Sequence, residues 1–174
     1  GKSNLIIRNL IQQKRDFIQI SLASCVGQEI EAFFKEILYD IASKVDGIES
    51  QVQPNNFSEC SKLLLDLLAK KYCDKELIIF IEEIPISSEE NYKEFSSKMF
   101  SLLISKNLTR GLEKIKFVLS SINNPIKHIQ IFQQKIHQQL NFLPLEFWEK
   151  EKIISLIELI ESEFQFSLPT DIKA

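Results

Sequence analysis

Two places in this chain hold residues suited to phosphate chemistry: the tripeptide Gly1-Lys2-Ser3 and the acid pair Glu82-Glu83. Gly-Lys-Ser matches the last three residues of the phosphate-cradling pattern G-x-x-x-x-G-K-[ST]. Such a loop works because backbone N–H groups and a helix N-terminus point at phosphate oxygens. Lys2 would bring a point charge to the β- and γ-phosphates of a nucleotide, and Ser3 would place its hydroxyl on Mg2+. The pattern's upstream residues are absent from the chain, and a chance match is the plainer reading of three residues alone.

The acid pair stands at the end of an unbroken apolar run, Leu77-Ile78-Ile79-Phe80-Ile81. Such a run reads as a strand buried on both faces. Carboxylates at the C-terminal tip of a central strand sit where open α/β sheets bind ligands. The plainer alternative is a solvated turn after a core strand. A second apolar run at 115–119 is followed by Ser120, Ser121 and Asn123. Their small polar groups could hydrogen-bond a γ-phosphate or an attacking water. A Ser/Asn turn closed by Pro125 explains them equally well.

The elements that would position these groups follow from apolar spacing. Leu5, Ile6, Leu10 and Ile11 predict a helix opening at the tripeptide, and residues 17–22 alternate as a strand does. Ile30, Phe33, Phe34, Ile37, Leu38, Ile41 and Val45 recur at helical spacing, ending near Gly47. Ser58 is a candidate cap for a helix carrying Leu63, Leu64, Leu67 and Leu68. Tyr92, Phe95, Met99, Leu102 and Leu103 mark a further helix before the strand at 115–119. A short helix at 126–135, a strand at 139–143, a helix at 147–160 and a helix start after Pro169 complete the pattern. Strands alternating with helices predict an α/β fold, a mostly parallel sheet with helices on both faces. The expected division is an α/β core over residues 1–145 and a helical segment over 146–174.

In this order of motifs the chain resembles the ATPase core of the P-loop AAA+ and STAND superfamily, the archaeal-type ATPases and signalling NTPases in particular. The resemblance covers nearly the whole chain. It implies that the first strand, a central one, lies before Gly1, that the Walker B acids end one strand, and that a sensor-1 polar residue ends the next. Residues 141–146, Asn-Phe-Leu-Pro-Leu-Glu, resemble the junction between the last strand and a helical lid. On this likeness Gly1, Lys2 and Ser3 bind phosphate, with Ser3 and Glu82 on magnesium. Glu83 would be the water-activating base, and Ser120 or Ser121 would serve as sensor 1, with Asn123 beside them. ATP and Mg2+ are the implied cofactors.

Three departures bear on turnover. The magnesium-side acid of the family is normally Asp, and one extra methylene at Glu82 displaces the carboxylate by about an ångström, a misplacement able to cost ~100-fold in rate. No Arg occurs after Arg110, and Arg8 and Arg15 are the only others, so no arginine finger follows the sensor strand. Lys127 and Lys135 lack the planar fork that makes Arg suited to that task. The expected function is therefore an ATP-binding switch domain of a larger protein, with hydrolysis open. The alternative is a degenerate, non-catalytic scaffold subunit of the kind found in replication-initiator assemblies.

Composition narrows the remaining classes. A net charge of −3 gives no general surface for nucleic acid or anionic membrane, so contact with nucleic acid is expected only through a complex. Cys25, Cys60 and Cys73 contain no C-x-x-C pair, and His128 and His137 have no matching cysteines. Buried free thiols in a reducing compartment are expected, and no zinc site. No apolar run reaches the roughly 18 residues of a membrane span, and no basic-then-apolar leader opens the chain. A cytoplasmic location is expected, or a nuclear one for an initiator-like subunit. The expected partners are the nucleotide and further domains or subunits.

Overall fold

The structure, a computed structural model, describes residues 2–46, 53–121 and 150–164. Its backbone forms two compact units, residues 1–140 and 141–174. In the first unit the order is α1 (Lys2–Gln12), β1 (Phe17–Ser21), a 3-10 turn at Ala23–Cys25, α2 (Ile30–Asp46), α3 (Phe57–Tyr72), β2 (Leu77–Ile84), α4 (Glu89–Leu108) and β3 (Ile115–Ser121). The second unit contributes α5 (Lys150–Phe164). The three strands form one all-parallel sheet in the order β1-β2-β3, alternating with the helices as the sequence predicts.

One face of the sheet carries the core. The register aligns Ile18 with Ile79 and Phe117, and Ile20 with Ile81 and Leu119. These residues join Phe33, Phe34, Ile37 and Ile41 of α2, Leu64 and Leu68 of α3, and Phe95, Met99 and Leu102 of α4 in a single cluster. Phe34 stacks on Phe95 at 5.5 Å and meets the edge of Phe57 at 4.8 Å. The opposite face is also apolar at its centre, where Phe80 is fully buried. A period of two thus becomes a continuous apolar run in β2, because both of its faces exclude water.

Capping sets the helix starts. The Asn56 side chain accepts the Glu59 N–H, so Asn56 rather than Ser58 caps α3. Ser58 falls inside the first turn. Ser88 caps α4 by accepting the Asn91 N–H at 3.2 Å. The far end of α4 is tied to β3 by Lys106, whose buried ammonium donates to the Ile115 carbonyl at 2.9 Å. Burial, then the nearby Lys116, holds the Lys106 pKa below its ordinary value.

Other differences from the sequence reading are local. β3 is half-buried along Phe117, Val118 and Leu119 rather than fully enclosed. Cys25 and Cys60 are buried, but Cys73 is exposed. Burial pushes the Cys60 thiol up to about 11, and its sulfur meets the Phe34 carbonyl at 3.0 Å. Leu10 anchors α1 while Leu5 and Ile11 stay exposed. The predicted helix at 126–135, strand at 139–143, residues 147–149 and the helix start after Pro169 lie outside the described residues. No helix among the described residues is long and apolar enough to cross a membrane.

Gly111 turns the chain from α4 into β3 at a φ of +86°, where a Cβ would stand 2.5 Å from the Cys73 sulfur. Its carbonyl also accepts the Asp74 N–H at 2.8 Å. Gly111→Ala should lower the urea-unfolding free energy by about 1–2 kcal/mol from backbone strain, with the sulfur clash in addition. Adding Cys73→Ala should return only the clash. Full recovery in the double variant would show that the left-handed turn costs alanine nothing.

Candidate functional site

The acid pair lies within β2, not after it, and the strand is irregular there. β2 and β3 stay in register through Ile81 and Leu119, then resume at Ile84 and Ser121. Three steps along β2 therefore match two along β3. Glu82 and Glu83 together oppose Ser120, which is the geometry of a β-bulge.

The reason is legible in the side chains. Leu77, Ile79 and Ile81 face the core, so unbroken alternation would send Glu83 into it and Ile84 away. The extra residue reverses this, because a slip of one residue exchanges the two faces of a strand. Ile84 is 4% exposed and packed in the core cluster. Glu83 is exposed, and adopts a left-handed φ of +56°. A non-glycine residue in that region carries strain, and such outliers cluster at functional sites.

Both carboxylates are held by β1, the strand on the other side of β2. The Gln19 amide donates to Glu82 Oε1, and the Ser21 hydroxyl donates to Glu83 Oε2 at 3.2 Å. The Leu22 N–H donates to the Glu82 carbonyl at 3.1 Å, extending the ladder past the last residue of β1. Ser21 also accepts the Ala23 N–H at 3.3 Å, which fixes its oxygen where the chain leaves the sheet.

The two serines of β3 are not equivalent. Ser121 pairs with Ile84, faces the core side, and shares a hydrogen bond with the buried Tyr92 hydroxyl of α4. Burial raises the Tyr92 pKa, and the bond to Ser121 opposes the rise. Ser120 alternates to the other face and lies across from the bulge, half-buried. One C-terminal rim thus carries Glu82, Glu83, Ser120 and Ser121 on neighbouring parallel strands.

Lys2 is the first residue of α1, and Ser3 is half-buried in its first turn. Among the described residues no hydrogen bond joins Ser3 to Glu82, Glu83 or Ser120. Gly1 and Asn123 lie outside the described residues. No group of three or more His, Cys, Asp or Glu side chains able to hold a metal occurs among the described residues. Sequence reasoning missed Gln19, Ser21 and Tyr92, the residues that orient the rim. Gln19 and Ser21 sit at alternate positions of the first strand, and polar residues on one face of an otherwise apolar strand were the available signal.

Comparison with family models, with curated proteins and with solved structures finds no match to this chain.

Glu83→Gly tests the bulge. It removes about 1–2 kcal/mol of left-handed strain and adds about 0.5–1 kcal/mol of backbone entropy cost. A small net stabilisation, about 0.5 kcal/mol, should appear as a higher urea midpoint. Glu83→Ala keeps the strain and should gain nothing. A loss of stability in the glycine variant larger than in the alanine variant would mean that φ is relaxed at this position.

Proposed function

We propose that the rim of β2 and β3 is the catalytic edge of an ATP-binding switch domain of AAA+ or STAND-like type. The supporting observation is the bulge, which sets Glu82 and Glu83 opposite Ser120 at the C-terminal ends of adjacent parallel strands. Ligands of open α/β sheets bind at such strand ends.

The donor chemistry suits magnesium. That ion binds through one or two carboxylates, keeps several waters, and takes its remaining ligands from substrate phosphates. Glu82 engages Gln19 through Oε1, which leaves Oε2 to serve as the one protein carboxylate. Ser3 would supply a hydroxyl and Lys2 a charge for the phosphates. Bound Mg2+ would offset charge on the phosphate oxygens. Glu83, held from one side by Ser21, would orient a water for in-line attack on the γ-phosphate. Ser120, with its hydroxyl free of the Tyr92 contact that occupies Ser121, is the better sensor of the two.

A second reading has its own support. Gln19 and Ser21 already hold both acids, as they would in a scaffold that binds nucleotide without turnover. Glutamate in place of the shorter aspartate favours the same outcome, as does the lack of arginine after Arg110.

Calorimetric titration of ATP with and without Mg2+, paired with phosphate release, separates these readings. The switch reading expects magnesium-dependent binding, and a Glu83→Gln chain that binds ATP as the parent does while phosphate release drops by at least about 100-fold. Binding without measurable release in the parent favours the scaffold. No binding in either condition removes the nucleotide proposal.

A further inference from the structure

We propose that the outer edge of β1 accepts an extended, lysine-bearing peptide segment of a partner protein as an added strand. The backbone sets up the site. The Ile78 N–H donates to the Asp16 carbonyl at 3.0 Å and the Leu22 N–H to the Glu82 carbonyl at 3.1 Å. Residues 16 and 22 therefore turn their backbone groups toward β2, and so do Ile18 and Ile20 by the alternation of a parallel ladder. Phe17, Gln19 and Ser21 turn theirs outward, and no described strand lies beyond them.

Among the described residues, that edge is guarded by a side chain rather than closed by a strand. Lys44 of α2 donates its ammonium to the outward Gln19 carbonyl. A lysine placed at a strand edge is a common guard against unwanted pairing. This one is half-exposed, at 45%, and only 3.6 Å from Asp40, so it can exchange one acceptor for the other with little loss. Beside the edge lies an open depression of about 730 Å³, lined by Phe17, Gln19, Glu36, Asp40, Lys44 and Tyr72 among others. Glu36, Asp40 and Lys44 recur every four residues and form one row along α2.

Charge chooses the occupant. Glu36 has no ion-pair partner among the described residues, and Asp40 has only Lys44. Lysines on alternate residues of an added strand would meet these carboxylates, while its N–H replaces Lys44 on the Gln19 carbonyl. An acidic strand would meet like charge. A second copy of this chain would bring its own Glu36 and Asp40 against the same row, so self-pairing is disfavoured.

The test uses the chain without nucleotide, which keeps it independent of the proposed nucleotide site. A fluorescein-labelled hexapeptide of alternating lysine and valine is titrated by anisotropy, beside its glutamate–valine counterpart and two versions N-methylated on alternate residues. The lysine peptide should bind at least about tenfold more tightly than the acidic one, and more weakly as salt rises. One N-methylated version should lose binding and the other keep it, because only one set of amides faces the edge. A Glu36→Lys, Asp40→Lys chain with an unchanged circular dichroism spectrum should reverse the charge preference. Equal binding of both N-methylated versions would overturn strand addition. Equal binding of the acidic peptide, or a dimer that forms through this edge, would overturn the choice of a basic partner.

Discussion

The rim of this domain depends on one constraint: a buried strand must end by sending a carboxylate to water without losing its grip on the core. β2 meets it with a single extra residue. The left-handed backbone of Glu83 turns that side chain outward and returns Ile84 to the apolar cluster. A left-handed non-glycine residue costs about 1–2 kcal/mol. Burying Ile84 returns a similar or larger amount, about 1.5–3 kcal/mol for a fully buried aliphatic side chain. The bulge is therefore affordable on packing grounds, and the pairing of two acids with one serine comes with it.

The strands on either side make that arrangement rigid. β1 reaches across with Gln19 and Ser21, each hydrogen-bonded to one of the acids. β3 is fixed at both ends by α4, through Lys106 at Ile115 and through Tyr92 at Ser121. Tyr92 and Lys106 are both buried, so neither can move without leaving a polar group unsatisfied in the core. The rim is thus positioned by one helix-to-strand tie at Ser121, a second at the opposite end of β3, and two side-chain ties along it. Sites held on strands in this way are more precise than sites held on loops.

The sequence was informative where apolar periodicity decides structure. Ile18, Ile20, Ile79 and Ile81 mark the core face, and the alternating strand–helix order leads to a parallel sheet. It was silent where two local solutions compete. Asn56 and Ser58 are both good caps, and only the geometry of the preceding loop selects Asn56. An apolar run ending in two acids reads the same whether the strand stops at Ile81 or bulges and continues to Ile84, since only pairing to β3 distinguishes them. The half-burial of Phe117 and Leu119 was not legible either, because β-propensity reports a pleated surface without saying how much lies over it.

The state of Glu82 is where the two candidate surfaces meet. A carboxylate offers about four lone-pair sites, and the Gln19 amide takes one of them. Such a bond orients a ligand without consuming it, as partners behind metal-binding carboxylates do. It also ties Glu82 to the strand whose outer edge pairs with no described strand. A strand added beside β1 would stiffen the backbone at Gln19, and the amide would then hold Glu82 in a narrower range. The length of the Glu82 side chain makes that restriction consequential, because a longer side chain has more rotamers to lose. If nucleotide and peptide both bind, linkage requires each to alter the affinity of the other by the same factor. The Gln19–Glu82 bond is the contact through which that factor would be set.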